Sequence, residues 1–276
     1  MKRVTLTICL VAMMPAHAVF AATVQDVNVP SPAMHTQIAA VVILPDSYFK
    51  KQKAYPVVYL LHGYASSPRE TFKSAGDILT EAADKYEMIL FLPGGGFNSW
   101  YFDSPIHPEL KYQTHVAAEV VNFADSHFRT IRSAWARAIT GCSMGGFGAM
   151  LIALHHKAVF GSVGSLSGVV DLRPFSEEWD IKQTLGSIEQ FPQRWKQSAV
   201  INNLAQLRPG ELNIYLDVGT EDTFLGVNRA LHRRLLEMDI PHVYIERPGR
   251  HDDLYWRTAI KYQLFFFSEA FSQNQR

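Results

Sequence analysis

The stretch AITGCSMGGFGAM, residues 138–150, decides the fold of this chain. A short apolar run leads into it, and an apolar, helix-compatible run over residues 150–154 leaves it. At the joint, Gly141, Ser143 and Gly145 form the G-x-S-x-G pattern of a nucleophile elbow. A serine on so sharp a turn is held in a strained backbone conformation, and the flanking glycines let strand and helix approach each other. We therefore predict that Ser143 is a nucleophile.

The pattern alone is weak, because roughly one chain in ten of this size would contain it by chance. A glycine-rich strand-to-helix turn without any chemistry would have the same letters. The context favours the elbow: a strand precedes it, a helix follows, and Gly146, Gly148 and Ala149 are small residues in the first turns of that helix. The helix N-terminus would also direct free N–H groups and partial positive charge at the serine oxygen.

The first 22 residues have the composition of a secretory signal peptide. A basic start precedes an apolar run over residues 4–14, and small residues offer cleavage after Ala18, Ala21 or Ala22. The apolar run is too short to span a bilayer, and no later segment is long or charge-free enough to do so. We therefore predict an exported protein, periplasmic or secreted, without stable membrane insertion.

Cysteine usage and charge exclude several classes of partner. Cys9 lies in the predicted signal peptide, so the mature chain keeps only Cys142 and forms no internal disulfide. Its core is large enough to be stable without one. Lysine plus arginine and aspartate plus glutamate each number 26, and no basic cluster is interleaved with aromatic residues. Nothing therefore points to nucleic acid as a partner, and the oligomeric state stays open.

Apolar runs typical of strands buried on both faces alternate with helix-like segments. We predict strands over residues 38–44, 56–61, 88–92, 137–140, 159–166, 212–218 and 243–247, and helices over residues 71–86, 109–128 and 228–238. This rhythm predicts one domain over residues 23–276, with a mostly parallel central sheet covered by helices on both faces, and the nucleophile elbow makes an α/β-hydrolase fold the expected one. Residues 171–209 break the rhythm, and we expect a small helical, cap-like insertion over the site.

A serine hydroxyl becomes a good nucleophile when a histidine takes its proton and an acid fixes the tautomer of that histidine. In an α/β-hydrolase these groups follow in the order Ser, Asp or Glu, His, each after a strand. Asp222 follows the predicted strand over residues 212–218, and His251 follows that over residues 243–247. We therefore predict His251 as the base and Asp222 as the acid that serve Ser143.

Other candidates for both roles have simpler explanations. The other histidines lack the position that the base requires. They fall in the predicted signal peptide, at the end of a helix, at the start of a strand, in the loop after the second strand, or where no strand end precedes them. These histidines are His17, His35, His62, His107, His115, His127, His155, His156, His232 and His242. Two other carboxylates compete with Asp222 for the role of the triad acid. Asp217 lies inside a predicted strand, and Glu221 is interpreted as a solvated neighbour of Asp222. Because the acid needs only the right geometry, these two stay open as alternatives.

Acyl transfer passes through an oxyanion that preorganised backbone N–H groups stabilise. One N–H belongs to the residue after the nucleophile, Met144. The second comes from the loop after the strand over residues 56–61, where we choose Tyr64. Gly63 would let the backbone of that loop approach the substrate, so we include it among the substrate-binding residues.

The glycines at residues 94–96 follow another predicted strand. They lack the Lys-Ser/Thr of a P-loop and the spacing of a dinucleotide site, so we predict a substrate-side loop in which Asn98 and Trp100 line the acyl pocket. No His, Cys, Asp or Glu cluster has the spacing of metal ligands. We therefore predict no metal and no cofactor.

Two further expectations concern the neighbourhood of the elbow. Cys142 should point away from the substrate, towards the sheet, and behave as a small buried hydrophobe. Residues 171–209, through Trp179 and Trp195, should overhang the site and bury an acyl or aryl group.

With these residues in place, the chain resembles the esterase D, S-formylglutathione hydrolase and antigen 85 group of α/β-hydrolases. The matching pieces are LLHG (60–63), NSWY (98–101), DSP (103–105), RAITGCSMGG (137–146), GTED (219–222) and HDDLYW (251–256). The resemblance implies hydrolysis or transfer of small acyl groups through an acyl-serine without a cofactor, and it supports Ser143, Asp222 and His251. One departure is PGGG (93–96), where many members have an aspartate after the proline. The predicted export also argues against cytosolic formaldehyde detoxification.

The leading prediction is an exported serine esterase for small acyl or aryl esters, such as an ester-linked sugar or hydroxycinnamoyl group. An acyltransferase that passes the acyl group to a sugar hydroxyl uses the same acyl-enzyme and stays open. A non-catalytic binding protein on the same scaffold is the third alternative. The complete set Ser143, Asp222 and His251 argues against it, since a binding protein needs none of the three.

Overall fold

The computed structural model describes residues 22–273. The predicted signal peptide, residues 1–22, therefore lies almost wholly outside the described residues. Within them, no helix is both long enough and apolar enough to cross a bilayer.

One sheet organises the described chain, and its strands in sequence order are β1 (Thr23–Ser31), β2 (Thr36–Leu44), β3 (Val57–Leu61), β4 (Ile89–Pro93), β5 (Arg137–Gly141), β6 (Ser162–Leu166), β7 (Asn213–Gly219) and β8 (Val243–Arg247). Their order across the sheet is β1-β2-β4-β3-β5-β6-β7-β8. The six strands from β3 to β8 run parallel to one another, and β2 runs antiparallel to both of its neighbours, β1 and β4. Strands β3 to β7 are almost wholly buried, which explains their continuous apolar runs.

The helices in the described range are α1 (Ser47–Lys50), α2 (Pro68–Tyr86), α3 (Tyr112–Thr114), α4 (Val121–His127), α5 (Met144–His155), α6 (Ile181–Leu185), α7 (Pro192–Ser198), α8 (Leu225–Glu237) and α9 (Asp253–Gln273), with a π-helical stretch, His115–Val120, between α3 and α4. Helices α2 and α9 cover one face of the sheet. Helices α4, α5 and α8 cover the other. The predicted layered architecture is confirmed.

Three elements were not predicted from the sequence: strand β1 at the start, the one-turn helix α1, and helix α9 at the end. The buried residues of α9 form one stripe on a 3.6-residue period: Tyr255, Ala259, Ile260, Gln263, Leu264, Phe267, Ala270 and Phe271. Four predicted starts also shift by three residues, among them that of α8, which begins at Leu225 and not at residue 228. Helix α2 begins at Pro68, three residues early, because Ser67 caps it by accepting a hydrogen bond from the N–H of Glu70 at 3.2 Å. Strand β6 begins at Ser162 and not at residue 159, and the helix predicted from residue 109 begins at Tyr112.

Residues 171–209 connect β6 to β7 and contain α6, α7 and three short 3-10 turns. Hydrogen bonds tie this segment to the loop after β4. The indole N–H of Trp100 donates to the carbonyl oxygen of Trp179 at 3.0 Å. The hydroxyl of Ser104 donates to the carbonyl oxygen of Thr184 at 2.9 Å.

Candidate active site

The elbow joins β5 to α5 at Ser143, whose φ of 54° lies in the left-handed region that non-glycine residues rarely adopt. The N–H of Ser143 donates to the carbonyl oxygen of Leu166 at 2.9 Å, which fixes the turn against β6. A Cβ on Gly141 would lie 2.5 Å from the carbonyl carbon of Gly145, and one on Gly145 would overlap the carbonyl oxygen of Leu61. Only glycine therefore fits at both positions, which is the physical reason for the sequence pattern.

The structure brings Ser143, His251 and Asp222 together from the carboxyl ends of β5, β8 and β7. His251 Nε2 lies 2.9 Å from Ser143 Oγ, and His251 Nδ1 lies 2.9 Å from Asp222 Oδ2. The other carboxylate oxygen of Asp222 accepts the N–H of Phe224 at 2.8 Å. Burial by itself raises the pKa of Asp222, but the hydrogen bond and charge of His251 and the N–H of Phe224 outweigh it and leave that pKa below its ordinary value.

The two alternative acids lie elsewhere. Asp217 is fully buried in β7, where it pairs with the guanidinium of Arg247 and accepts the hydroxyl of Tyr255. Burial raises the pKa of Asp217, against the opposing effect of these partners. Glu221 is exposed and pairs with Arg250 at 3.0 Å. Neither carboxylate bonds to His251.

His62 has a different task from His251. Its Nε2 accepts the N–H of Gly95 at 2.8 Å, so its Nδ1 carries the proton and donates to the carbonyl oxygen of Gly63 at 2.8 Å. Burial lowers the pKa of this histidine, which keeps the ring neutral. His62 therefore ties the loop after β3 to the glycine loop after β4.

The predicted oxyanion donors flank the serine. Met144 is the first residue of α5, so its N–H lies ahead of the intrahelical hydrogen bonds. Gly63 faces the nucleophile across the gap, since a Cβ built on it would be 3.7 Å from Ser143 Cβ. Tyr64 follows it, and the Tyr64 hydroxyl donates to Asp180 Oδ2 at 2.8 Å.

A cavity of about 630 Å³ opens at Ser143 and His251, and its lining includes the predicted Gly63, Tyr64 and Trp100. Asn98 does not line it. The side chain of Asn98 turns instead towards Asp180, with its Nδ2 3.4 Å from a carboxylate oxygen. Asn98 thus contacts the 171–209 segment and not the cavity.

Two other expectations need correction. Trp179 lines the cavity, but Trp195 is fully buried and donates its indole N–H to the carbonyl oxygen of Gly186 at 2.9 Å, so Trp195 is part of the core. Cys142 also lines the cavity and is only partly buried, so it does not point wholly away from the substrate side. Burial nevertheless raises the pKa of its thiol to about 12, so the thiol stays protonated at neutral pH.

Sequence reasoning missed the aromatic residues that hold His251. The ring of Phe224 lies 4.7 Å from the imidazole at 84°, and that of Trp256 lies 4.8 Å away at 90°. Both residues follow a predicted site residue closely in the chain, which is the signal that could have revealed them. Their perpendicular packing restricts rotation of the imidazole.

No group of three or more His, Cys, Asp or Glu side chains among residues 22–273 is arranged to hold a metal ion. The site consists of protein groups that can accept, hold and return a proton beside a hydroxyl oxygen.

A mostly parallel sheet with a glycine-flanked serine elbow, followed by an aspartate and a histidine from later strand ends, defines the α/β-hydrolase class. The Esterase family model matches residues 31–267, and the chain belongs to this family.

Among curated relatives, Esterase Rv1288 of Mycobacterium tuberculosis is 29% identical over 239 residues, which are 76% of this chain and 51% of that protein. The chain thus spans about half the length of this relative. An acetyl esterase of Caldicellulosiruptor saccharolyticus is 27% identical over 237 residues, 78% of this chain and 85% of that protein. A solved ferulic acid esterase has a TM-score of 0.77 at 24% identity over 91% of this chain and 99% of its own, which shows the shared fold.

The resemblance drawn from the sequence is confirmed. An S-formylglutathione hydrolase of Paracoccus denitrificans is 25% identical over 76% of this chain and 79% of that protein. The Ag85A mycolyltransferase of Mycobacterium leprae is 31% identical over 54% of this chain and 44% of that protein.

Proposed function

We propose that this protein is an exported serine carboxylic-ester hydrolase that acts on small acyl or aryl esters. The observation that carries the proposal is the continuous hydrogen-bonded series Ser143 Oγ, His251 imidazole and Asp222 carboxylate, in which Ser143 and His251 line the cavity. A binding protein would gain nothing from this series, which serves to move a proton between Ser143 and His251 while Asp222 stabilises the imidazolium.

The first half-reaction forms an acyl-serine. Ser143 Oγ attacks the ester carbonyl carbon while His251 Nε2 accepts its proton. The N–H groups of Met144 and Tyr64 hold the resulting oxyanion. As the tetrahedral intermediate collapses, the carbon–oxygen bond to the alcohol breaks, and the alcohol leaves with the proton from His251.

The second half-reaction reverses these roles with water. His251 takes a proton from water, whose oxygen attacks the acyl carbon, and then returns that proton to Ser143 Oγ as the acid leaves. Asp222 stays ionised throughout, because its pKa lies below the ordinary value. Its negative charge stabilises the imidazolium that forms twice in each cycle.

The substrate class rests on the cavity and the relatives together. Trp100, Trp179 and Phe224 line one side of the cavity with aromatic surface that suits a planar or short acyl group. The names of the relatives include an acetyl esterase and a ferulic acid esterase. Export rests on the composition of the first 22 residues, and residues 171–209, through Trp179, supply the cap-like wall.

Transfer to a sugar hydroxyl is a second candidate, favoured by the match to a mycolyltransferase. It shares the acyl-serine and differs only in which hydroxyl enters during the second half-reaction.

Purified protein should be assayed against p-nitrophenyl acetate, longer p-nitrophenyl esters and methyl ferulate, each with and without an added sugar. We expect hydrolysis of at least one ester by the wild type and none above background by Ser143→Ala. Formation of an acyl sugar at the expense of free acid would favour transfer. A folded wild type that turns over no ester would contradict the proposal.

A further inference from the structure

The cavity at Ser143 extends to both sides of the elbow. Trp100, Trp179 and Phe224 lie on the side of the core that α5 covers. The opposite side is lined by residues of α2 and α9 and of the strands that they cover, the hydroxyl-bearing Ser66, Thr71 and Ser74 among them. Six carbon-rich residues on this side form what we call the α2–α9 trough: Leu60, Ala75, Cys142, Leu166, Trp256 and Ile260.

The wall of the trough is apolar at its deepest points. Ala75 comes from α2, Ile260 from α9, and Leu60 and Leu166 from the ends of β3 and β6. These four residues retain only 2–8% exposure, and they border the cavity, so the little surface that they expose faces it. A wall of methyl and methylene groups favours an apolar occupant, because contact with it removes apolar surface from water.

The rim of the trough carries charges that are already paired. Lys73 lies 2.6 Å from Glu70, and Arg257 lies 2.8 Å from Asp77. Lys73 and Arg257 are the cations among the described lining residues, and Glu70 and Asp253 are the anions, so the rim carries no excess positive charge to attract a carboxylate or phosphate. Asp253 adds a negative charge at the same rim. An uncharged, apolar group would therefore suit the trough better than an anion.

We infer that the α2–α9 trough binds an unbranched, uncharged hydrocarbon chain of the ester, and that Ala75 and Ile260 set the chain length. This inference rests on the proposed esterase function and adds a subsite to it. The aromatic side of the cavity then takes the other part of the ester, so that the substrate lies across Ser143. Chain length would depend on α2 and α9 and not on Trp195, which is buried in the core.

Two variants change the trough in opposite directions. Ala75→Leu fills it, and Ile260→Ala enlarges it. Each is assayed with p-nitrophenyl esters from acetyl to octanoyl, where the chain is on the acyl side. A second series, acetate esters from ethanol to octanol, places the chain on the alcohol side. Leu236→Ala, an exposed leucine on α8, controls for the loss of an aliphatic side chain.

In one series we expect Ala75→Leu to lose kcat/KM on the order of 10-fold per methylene beyond a limit, and Ile260→Ala to move that limit to longer chains. The series that responds identifies the side of the ester, and the acetyl and ethyl esters should change little. If Ala75→Leu fails to fold, the inference is tested by Ile260→Ala alone, through the expected move of the chain-length limit to longer chains. If the wild type hydrolyses acetyl esters but each variant changes kcat/KM equally at every chain length in both series, the trough does not bind the chain and the inference is wrong. Absence of any ester hydrolysis by the wild type overturns the proposed function instead.

Discussion

His251 bonds in two directions, and both bonds depend on one tautomer. Nδ1 must carry the proton towards Asp222 for Nε2 to accept from Ser143. Asp222→Asn can stabilise the wrong tautomer, so we expect kcat/KM to fall by roughly four orders of magnitude. Glu221→Gln is the matched control, because Glu221 is exposed and its pair with Arg250 contributes little. A crippled Glu221→Gln beside an active Asp222→Asn would reassign the acid.

The depressed pKa of Asp222 also predicts a pH dependence of stability. Its folded-state pKa lies below the ordinary value of 3.8. The stabilisation from the ionised carboxylate is therefore complete above the unfolded pKa and is lost as the pH falls through the folded pKa. Urea unfolding between pH 3 and 7 should show wild type and Asp222→Asn converging in unfolding free energy towards the acid end. If the difference in unfolding free energy between wild type and Asp222→Asn grew as the pH fell, the pKa of Asp222 would not be lowered by folding.

Cys142 should react slowly despite its place beside the nucleophile. With a pKa of about 12, almost none of it is thiolate at neutral pH. We expect iodoacetamide at pH 7 to label the Cys142 peptide far more slowly than glutathione, as followed by mass spectrometry. Cys142→Ala should keep most acetyl ester activity. Fast labelling would contradict the raised pKa of the thiol, and an inactive but folded Cys142→Ala would show that the thiol takes part in the reaction.

At the scale of elements, Asp180 links the 171–209 segment to the loop that carries the proposed oxyanion donor. Its carboxylate accepts the Tyr64 hydroxyl at 2.8 Å, and its φ of 57° shows a strained backbone. We expect Asp180→Ala and Tyr64→Phe each to lower kcat by about 10-fold, as one lost charged hydrogen bond would. The double variant should be hardly worse than either, and Asp180→Asn should restore part of the loss. If the effects of the two single substitutions add fully in the double variant, Asp180 and Tyr64 act independently and the hydrogen bond between them does not affect kcat.

The two tryptophans of the same segment should respond differently to truncation. Trp195→Ala removes a fully buried ring, so we expect unfolding free energy to fall by about 3–5 kcal/mol with an unchanged preference among esters. Trp179→Ala removes a cavity wall, so selectivity between methyl ferulate and p-nitrophenyl acetate should shift by on the order of 10-fold or more. Denaturant unfolding and kcat/KM ratios distinguish them. A changed ester preference in a folded Trp195→Ala variant would show that Trp195 contacts the substrate.

Local signals in the sequence were enough to predict the buried strands and the elbow. Apolar runs identify β3 to β7, and glycine spacing identifies the turn at Ser143, because both depend on neighbours in the chain. The start of α2 is also encoded locally, since Ser67 and Glu70 have the spacing of a capping box, but the prediction overlooked this signal and placed the start at residue 71. Helix α9 was not predicted, although its apolar stripe is helical in period.

The cavity could not be predicted in the same way. Ala75 and Ile260 meet across it from helices far apart in the chain, and neither has a local feature that distinguishes it from other core residues. The orientation of a loop side chain is equally nonlocal. Asn98 turns towards Asp180 in the 171–209 segment, and nothing within a few residues of Asn98 indicates that partner.

On the scale of the whole molecule, the sheet order places the ends of β5, β7 and β8 at one edge, with the cavity reaching both faces of the core. The proposed groups therefore come from three strand ends, while the cavity walls come from α2, α9 and the 171–209 segment. This division lets the walls vary while the reacting geometry stays constant.

The central claim is that Ser143 forms the covalent bond to the acyl group, and trapping by a p-nitrophenyl phosphonate tests it most directly. We expect one p-nitrophenol released per folded chain and one phosphonyl adduct, located on the Ser143 peptide by mass spectrometry. Ser143→Ala should give neither, and His251→Ala should react orders of magnitude more slowly. An adduct on Cys142, or an unlabelled wild type that still hydrolyses esters, would contradict the account.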